Sequence, residues 1–109
     1  MIAGKGSRVV LLTCGSMREA RKIARHVVKN RLAMCVNIVS SPVQSIYQWK
    51  GKVETAREIL MVLKTSARRL AEVEREVLRL HSYDVPEFIV LRIDAGSRKY
   101  LAWLNESGK

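Results

Sequence analysis

The sequence predicts a single α+β domain in which two helices lie on one face of a four-stranded sheet, the elements running β-α-β-β-α-β with a short helix at the C-terminal end. Three observations carry that prediction. Four short apolar, β-branched runs lie at residues 8–14, 34–39, 59–63 and 88–93. Two stretches with apolar residues three and four apart separate the first run from the second and the third from the fourth, as amphipathic helices require. Between the second and third runs the chain alternates without a helical period, which reads as one long hairpin.

Arg8–Cys14 (RVVLLTC) is nearly continuous in apolar residues, as expected of a strand in the middle of a sheet. Gly15-Ser16 ends it. Ser16 followed by Glu19 has the spacing of a capping box, in which hydroxyl and carboxylate satisfy free amides of the first helical turn. The helix then runs to about Asn30, with Met17, Ala20, Ile23, Ala24, Val27 and Val28 as its apolar stripe. Arg18, Arg21, Lys22, Arg25 and Lys29 face the other way, and His26 is a surface or boundary residue.

Residues 32–65 organise the rest. Met34–Val39 and Ile59–Leu63 flank the alternating Val43, Ser45, Tyr47 and Trp49, and Lys50-Gly51-Lys52 is the turn. Arms of about twelve residues at roughly 3.3 Å each reach about 40 Å, beyond the compass of a compact chain this short, so the tip protrudes. Proline removes a ladder amide, so the first arm should break or bulge at Pro42. Both faces are apolar at the base of the hairpin, and helices can cover one of them. The other face, with Tyr47 and Trp49 near the tip, is expected to lie against another subunit.

Ser66 is placed to cap a second helix ending near Leu80, with Leu70, Val73, Val77 and Leu80 as its stripe. His81–Glu87 is a loop, because Val85 precedes a proline. Phe88–Ile93 is the fourth strand, Asp94-Ala95-Gly96 a turn, and Ser97–Asn105 a final helix. This order of a split pair of right-handed βαβ units is the ferredoxin-like arrangement, with an extended hairpin between the second and third strands.

Composition narrows the function. The 109 residues fit one domain, 1–109, with no linker. No apolar run approaches the roughly 20 residues that span a bilayer, and the opening MIAGKGSR has no apolar leader core, so a cytoplasmic protein without membrane contact is expected. Cys14 and Cys35 sit in apolar contexts without CxxC spacing and read as buried thiols. A net charge of +10 raises the question of a nucleic-acid-binding module. Such a module on this fold stacks bases on sheet aromatics, and the first and third strands have none. A phosphohydrolase would need an anion-cradling loop, but Thr13–Met17 holds one glycine and no arginine, so no enzymatic activity is expected.

LAMCVN (32–37), SIYQWKGKVE (45–54), Glu58, LKT (63–65), HSYDVPE (81–87) and YLAWL (100–104) resemble the ordered motif series of the CutA family, the divalent-cation tolerance proteins. The resemblance implies a ferredoxin-like subunit in a tight homotrimer, related in architecture to PII signalling proteins, with binding of a divalent metal, notably copper. By position it makes Cys35 and His81 candidate metal ligands, Tyr47 and Trp49 interface residues, and Lys52, Glu58, Tyr83 and Glu87 a candidate intersubunit cleft. Ser82, Lys50 and Ala56-Arg57 depart from the family pattern, and the missing acids favour a soft thiolate-imidazole site. Lys52 and Glu58, six residues apart, project to the same side of their strand, and the loop stiffened by Pro86 could bring Tyr83 and Glu87 toward them. A mixed-charge cleft of that kind suits a small zwitterionic or anionic ligand, the alternative being an ion pair that only fixes the hairpin.

Overall fold

In a computed structural model, whose described residues are 1–106, the chain forms β1 (Ile2–Ala3), β2 (Ser7–Cys14), α1 (Met17–Lys29), β3 (Cys35–Ile38), β4 (Val43–Trp49) and β5 (Lys52–Ser66), followed by α2 (Leu70–Leu80), β6 (Ile89–Arg92), β7 (Ala95–Gly96) and α3 (Arg98–Glu106). The main sheet is antiparallel in the order β3-β5-β2-β6, and β4 continues the line of β3 along β5. This is the expected ferredoxin-like α+β sandwich.

Pleating divides the sheet into two apolar faces. Val10, Leu12 and Cys14 of β2 stand beside Leu63, Met61 and Ile59 of β5, and all six are buried beneath the helices. Ile23 and Val27 of α1 and Val73 and Val77 of α2 close the core from above. His26 joins the two helices, its Nε2 lying 2.7 Å from Glu76 Oε1. Val9, Leu11, Leu60, Val62, Ile89 and Leu91 alternate onto the face opposite α1 and α2, where Ile89 and Leu91 keep 47% and 45% of their surface exposed.

The first hairpin arm is interrupted where Pro42 stands. From the pair Ile38↔Met61 to the pair Val43↔Glu58 the arm advances five residues while β5 advances three, so the bulge absorbs two residues and keeps the side-chain alternation. At the tip, Lys50 (φ 53°) and Gly51 (φ 80°) are both left-handed, as a two-residue turn of type I′ requires. The hairpin draws the chain out to 44 × 26 × 24 Å. Its radius of gyration is 14.6 Å, against about 13 Å for a compact chain of this length.

Three local expectations are corrected. Ser66 does not cap α2: a turn of 3₁₀ helix, Ala67–Arg69, intervenes, and the Ser66 hydroxyl is buried without a hydrogen bond. The stretch read as a turn at Asp94–Gly96 includes β7, which pairs with β1 in a separate two-stranded ribbon. Cys35 is half-buried rather than fully buried. The ribbon depends on Gly4, whose amide donates to Asp94 O (2.8 Å) and where any Cβ would lie 1.7 Å from Ile93 O. Beyond it, α3 buries Leu101 and Leu104, and Asn105 Nδ2 donates to Ser7 Oγ (3.0 Å).

Candidate functional site

Two neighbouring features occupy the end of the sheet where β2 stops. The first is a cleft of about 420 Å³ on the open face of the hairpin, lined by Ser45, Tyr47, Trp49, Glu58, Val85 and Glu87. Odd-numbered residues of β4 and even-numbered residues of β5 share this face, so Tyr47 and Glu58 project the same way, and the loop after α2 lays Val85 and Glu87 against them. Tyr83, from the same loop, turns its phenol toward Glu58; burial, reinforced by that carboxylate, pushes the phenol up to about 12. The Tyr83 hydroxyl also packs over Gly15, where a Cβ would come within 3.2 Å of it.

Of the four residues assigned to the cleft, Glu58 and Glu87 line it and Tyr83 flanks Glu58. Lys52 does not join them within the chain. It pairs with Trp49 at the hairpin tip, six residues and about 20 Å of strand beyond Glu58.

The second feature is buried. Cys14 ends β2 on its helix-facing side, Glu19 lies in the first turn of α1, and His81 caps the C-terminus of α2. The three converge because β2, running one way, hands over to α1 at the end of the sheet where α2 finishes. Their ligand-capable atoms all lie within 4.8 Å of one another, and no other such group of three occurs among the described residues. His81 Nε2 is 2.7 Å from Thr13 O, a carbonyl that can only accept, so Nε2 carries the proton and a neutral ring presents Nδ1 as a lone pair. The Tyr83 amide donates to Nδ1 (3.1 Å), and Glu19 Oε2 lies 3.5 Å from it.

Glu19 makes only half of the expected capping box. Its amide donates to Ser16 Oγ (3.2 Å), but its carboxylate turns inward instead of back to Ser16, leaving Oε2 buried without a hydrogen bond. Burial, and then the charges of Glu19 and Glu58, push the Cys14 thiol up to about 12. The thiol donates to Met61 Sδ, 3.4 Å away.

Cys35 and His81, taken together as metal ligands, are not brought together. Cys35 stands on the open face opposite Lys64, its thiol 3.9 Å from Asn37 Oδ1, which Lys64 Nζ also contacts. His81 lies on the helix side beside Thr13, whose partner on β5 is Leu60. Four residues of strand, about 13 Å, and the thickness of the sheet separate the two. The cysteine that meets His81 is Cys14. Its place was legible in the alternation of RVVLLTC, which puts it on the same face as Val10 and Leu12.

The CutA1 divalent ion tolerance protein family matches residues 8–107. The chain belongs to the CutA1 family. It is similar to the divalent-cation tolerance protein CutA of Thermus thermophilus, 44% identical over 99 residues that cover 91% of this chain and 95% of that one. It is 43% identical over 101 residues to the chloroplastic CutA of Arabidopsis thaliana, covering 93% of this chain and 55% of that protein. Among solved structures, the periplasmic divalent cation tolerance protein CutA of Archaeoglobus fulgidus superposes with a TM-score of 0.90 at 36% identity, over 94% of this chain and 99% of the other. The family's names carry divalent-cation tolerance and no enzymatic function.

Proposed function

We propose that this CutA1 chain acts in divalent-cation tolerance as a non-catalytic homotrimer that binds a divalent metal, copper among those expected, and carries a PII-like ligand cleft between subunits. The observation that carries the assembly is the uncovered apolar face, where Ile89, Leu91, Tyr47 and Trp49 each leave more than two-fifths of their surface exposed. Two further features support it. The outer edges of β4 and β6 lie on opposite sides of the sheet and are both unpaired among the described residues, so a head-to-tail contact between them can close into a ring. In such a ring Lys52 of a neighbouring subunit can reach the Glu58–Glu87 cleft, giving a mixed-charge site for a small zwitterionic or anionic ligand.

The metal part of the reading follows the name the relatives share. We also place the protein in the cytoplasm. Cys14 and Cys35 are both free, which suits a reducing compartment, and no helix among the described residues is long and apolar enough to cross a membrane. Sedimentation equilibrium tests the assembly: a folded monomer at micromolar concentration overturns it. Calorimetry of the reduced protein with copper and with zinc tests the metal, and no heat of binding with either overturns that half.

A further inference from the structure

We infer that Cys14, Glu19 and His81 form a buried site for a borderline divalent ion of the zinc type, and that its occupancy is transmitted to the ligand cleft through Tyr83. The inference rests on the divalent-cation reading above and gives it a location different from Cys35.

The first ground is a shortage of protons. Cys14 Sγ, Glu19 Oε2 and His81 Nδ1 lie within 4.8 Å of one another, the thiol turns its proton to Met61 Sδ, and Glu19 Oε2 is buried with no hydrogen bond of its own. A buried acceptor left unpaired costs about 1–3 kcal/mol, more when it is charged, so its persistence here calls for a cation facing it. The second ground is spacing. Nitrogen and oxygen ligands at about 2.1 Å on a tetrahedral ion lie about 3.4 Å apart. His81 Nδ1 and Glu19 Oε2 are 3.5 Å apart, too long for a strong hydrogen bond and right for sharing an ion. Cys14 Sγ needs a move of about 1 Å to complete a thiolate distance of about 2.3 Å.

The third ground is support around the ligands. Thr13 O accepts from His81 Nε2, which fixes the tautomer that leaves Nδ1 free to coordinate, the arrangement in which a histidine ligand is oriented by a backbone carbonyl. One thiolate, one imidazole and one carboxylate are the ligand set of a tetrahedral zinc-type ion, with a fourth position left for exchange. Capture releases the thiol proton, so loading is opposed by acid.

The link to the cleft follows from what already occupies Nδ1. An ion there displaces the Tyr83 amide, and Tyr83 is also the residue whose ring lies 4.8 Å from that of His81 and whose phenol faces Glu58. Loading the buried site therefore alters the wall of the open one.

The test is titration of the reduced, full-length protein with cobalt(II), followed by thiolate-to-cobalt charge-transfer absorption, with sedimentation on the same samples and hydrogen exchange of the Tyr83 amide. One cobalt per subunit is expected, the band being lost in Cys14→Ser and kept in Cys35→Ser. Glu19→Gln lowers affinity about tenfold or more, and saturating cobalt speeds Tyr83 amide exchange about tenfold. A band that survives Cys14→Ser or disappears in Cys35→Ser refutes the site while leaving divalent-ion binding intact; no cobalt uptake at all refutes both. If Cys14→Ser does not fold, unchanged affinity in Glu19→Gln overturns the site. Tyr83 exchange indifferent to saturating ion overturns the link.

Discussion

Replacing Trp49 by alanine removes an anchor that the isolated subunit leaves 47% exposed. Of the roughly 240 Å² a tryptophan presents, that is about 110 Å², and covering it in an assembly at about 25 cal/mol per Å² contributes about 3 kcal/mol. A ring of three subunits repeats the contact at each interface, for a total of about 8 kcal/mol, or about six orders of magnitude in the equilibrium constant. Dissociation of a trimer into three monomers depends on the square of concentration, so the dilution midpoint should rise by about three orders of magnitude. Fluorescence-detected sedimentation over a dilution series reads that midpoint directly, with Trp49→Phe expected to fall between the two. A midpoint in Trp49→Ala within about threefold of the parent would show that the hairpin tip lies against solvent, and would remove the assembly argument built on its exposure.

Leu63→Ala, at a fully buried position in the helix-covered face, should destabilise the fold by about 2–5 kcal/mol, read as a lowered urea midpoint at matched protein concentration. Glu76 is held down to about 2, first by Arg79 and then by His26. A carboxyl depressed in the folded state contributes stability that is complete above its unfolded value of about 4.5 and is lost as pH falls toward 2. Glu76→Gln should therefore lower the urea midpoint at neutral pH, flatten its fall across that acid window and converge with the parent as pH nears 2, and an identical acid limb in both proteins would show that the α1–α2 clamp is not the titrating element. Gly4→Ala places a Cβ 1.7 Å from Ile93 O, so it should open the β1–β7 ribbon, raise hydrogen exchange at the Gly4 amide and lower stability by about 1–3 kcal/mol; unchanged exchange would mean that the backbone shifts at no cost.

Period and punctuation carried most of the fold into the sequence. RVVLLTC, the stripes of α1 and α2, Pro42 and Lys50-Gly51 each have one local physical meaning, and strand, helices, bulge and turn appear where those meanings put them. What escaped were elements whose cause is tertiary. β1 and β7 are two residues each, too short for any period, and exist because Gly4 lets two backbones approach. Ser66 has the chemistry of a helix cap but lies at the buried end of β5, where it pairs with Ser7. Glu19 has the spacing of a capping box, yet a second demand, from His81 and Cys14, wins its carboxylate. A local rule names the bonds a residue can make; only the fold decides between two that compete.

The same reasoning explains why Cys35 and His81 do not meet within the chain. Cys35 and Cys14 are equivalent in composition and context, and alternation alone places them on opposite faces of the sheet once β3 and β2 are both paired with β5. Topology then does the rest: the end of β2, the start of α1 and the end of α2 must meet at one edge of a β-α-β-β-α-β sandwich, so Cys14, Glu19 and His81 were bound to be neighbours. The loop that leaves His81 also carries Tyr83, Val85 and Glu87 to the open face, and its path around the end of the sheet is what joins a buried cluster on one side to an aromatic cleft on the other. Tyr83, whose amide donates to His81 Nδ1 and whose phenol faces Glu58, is the residue the two sides share.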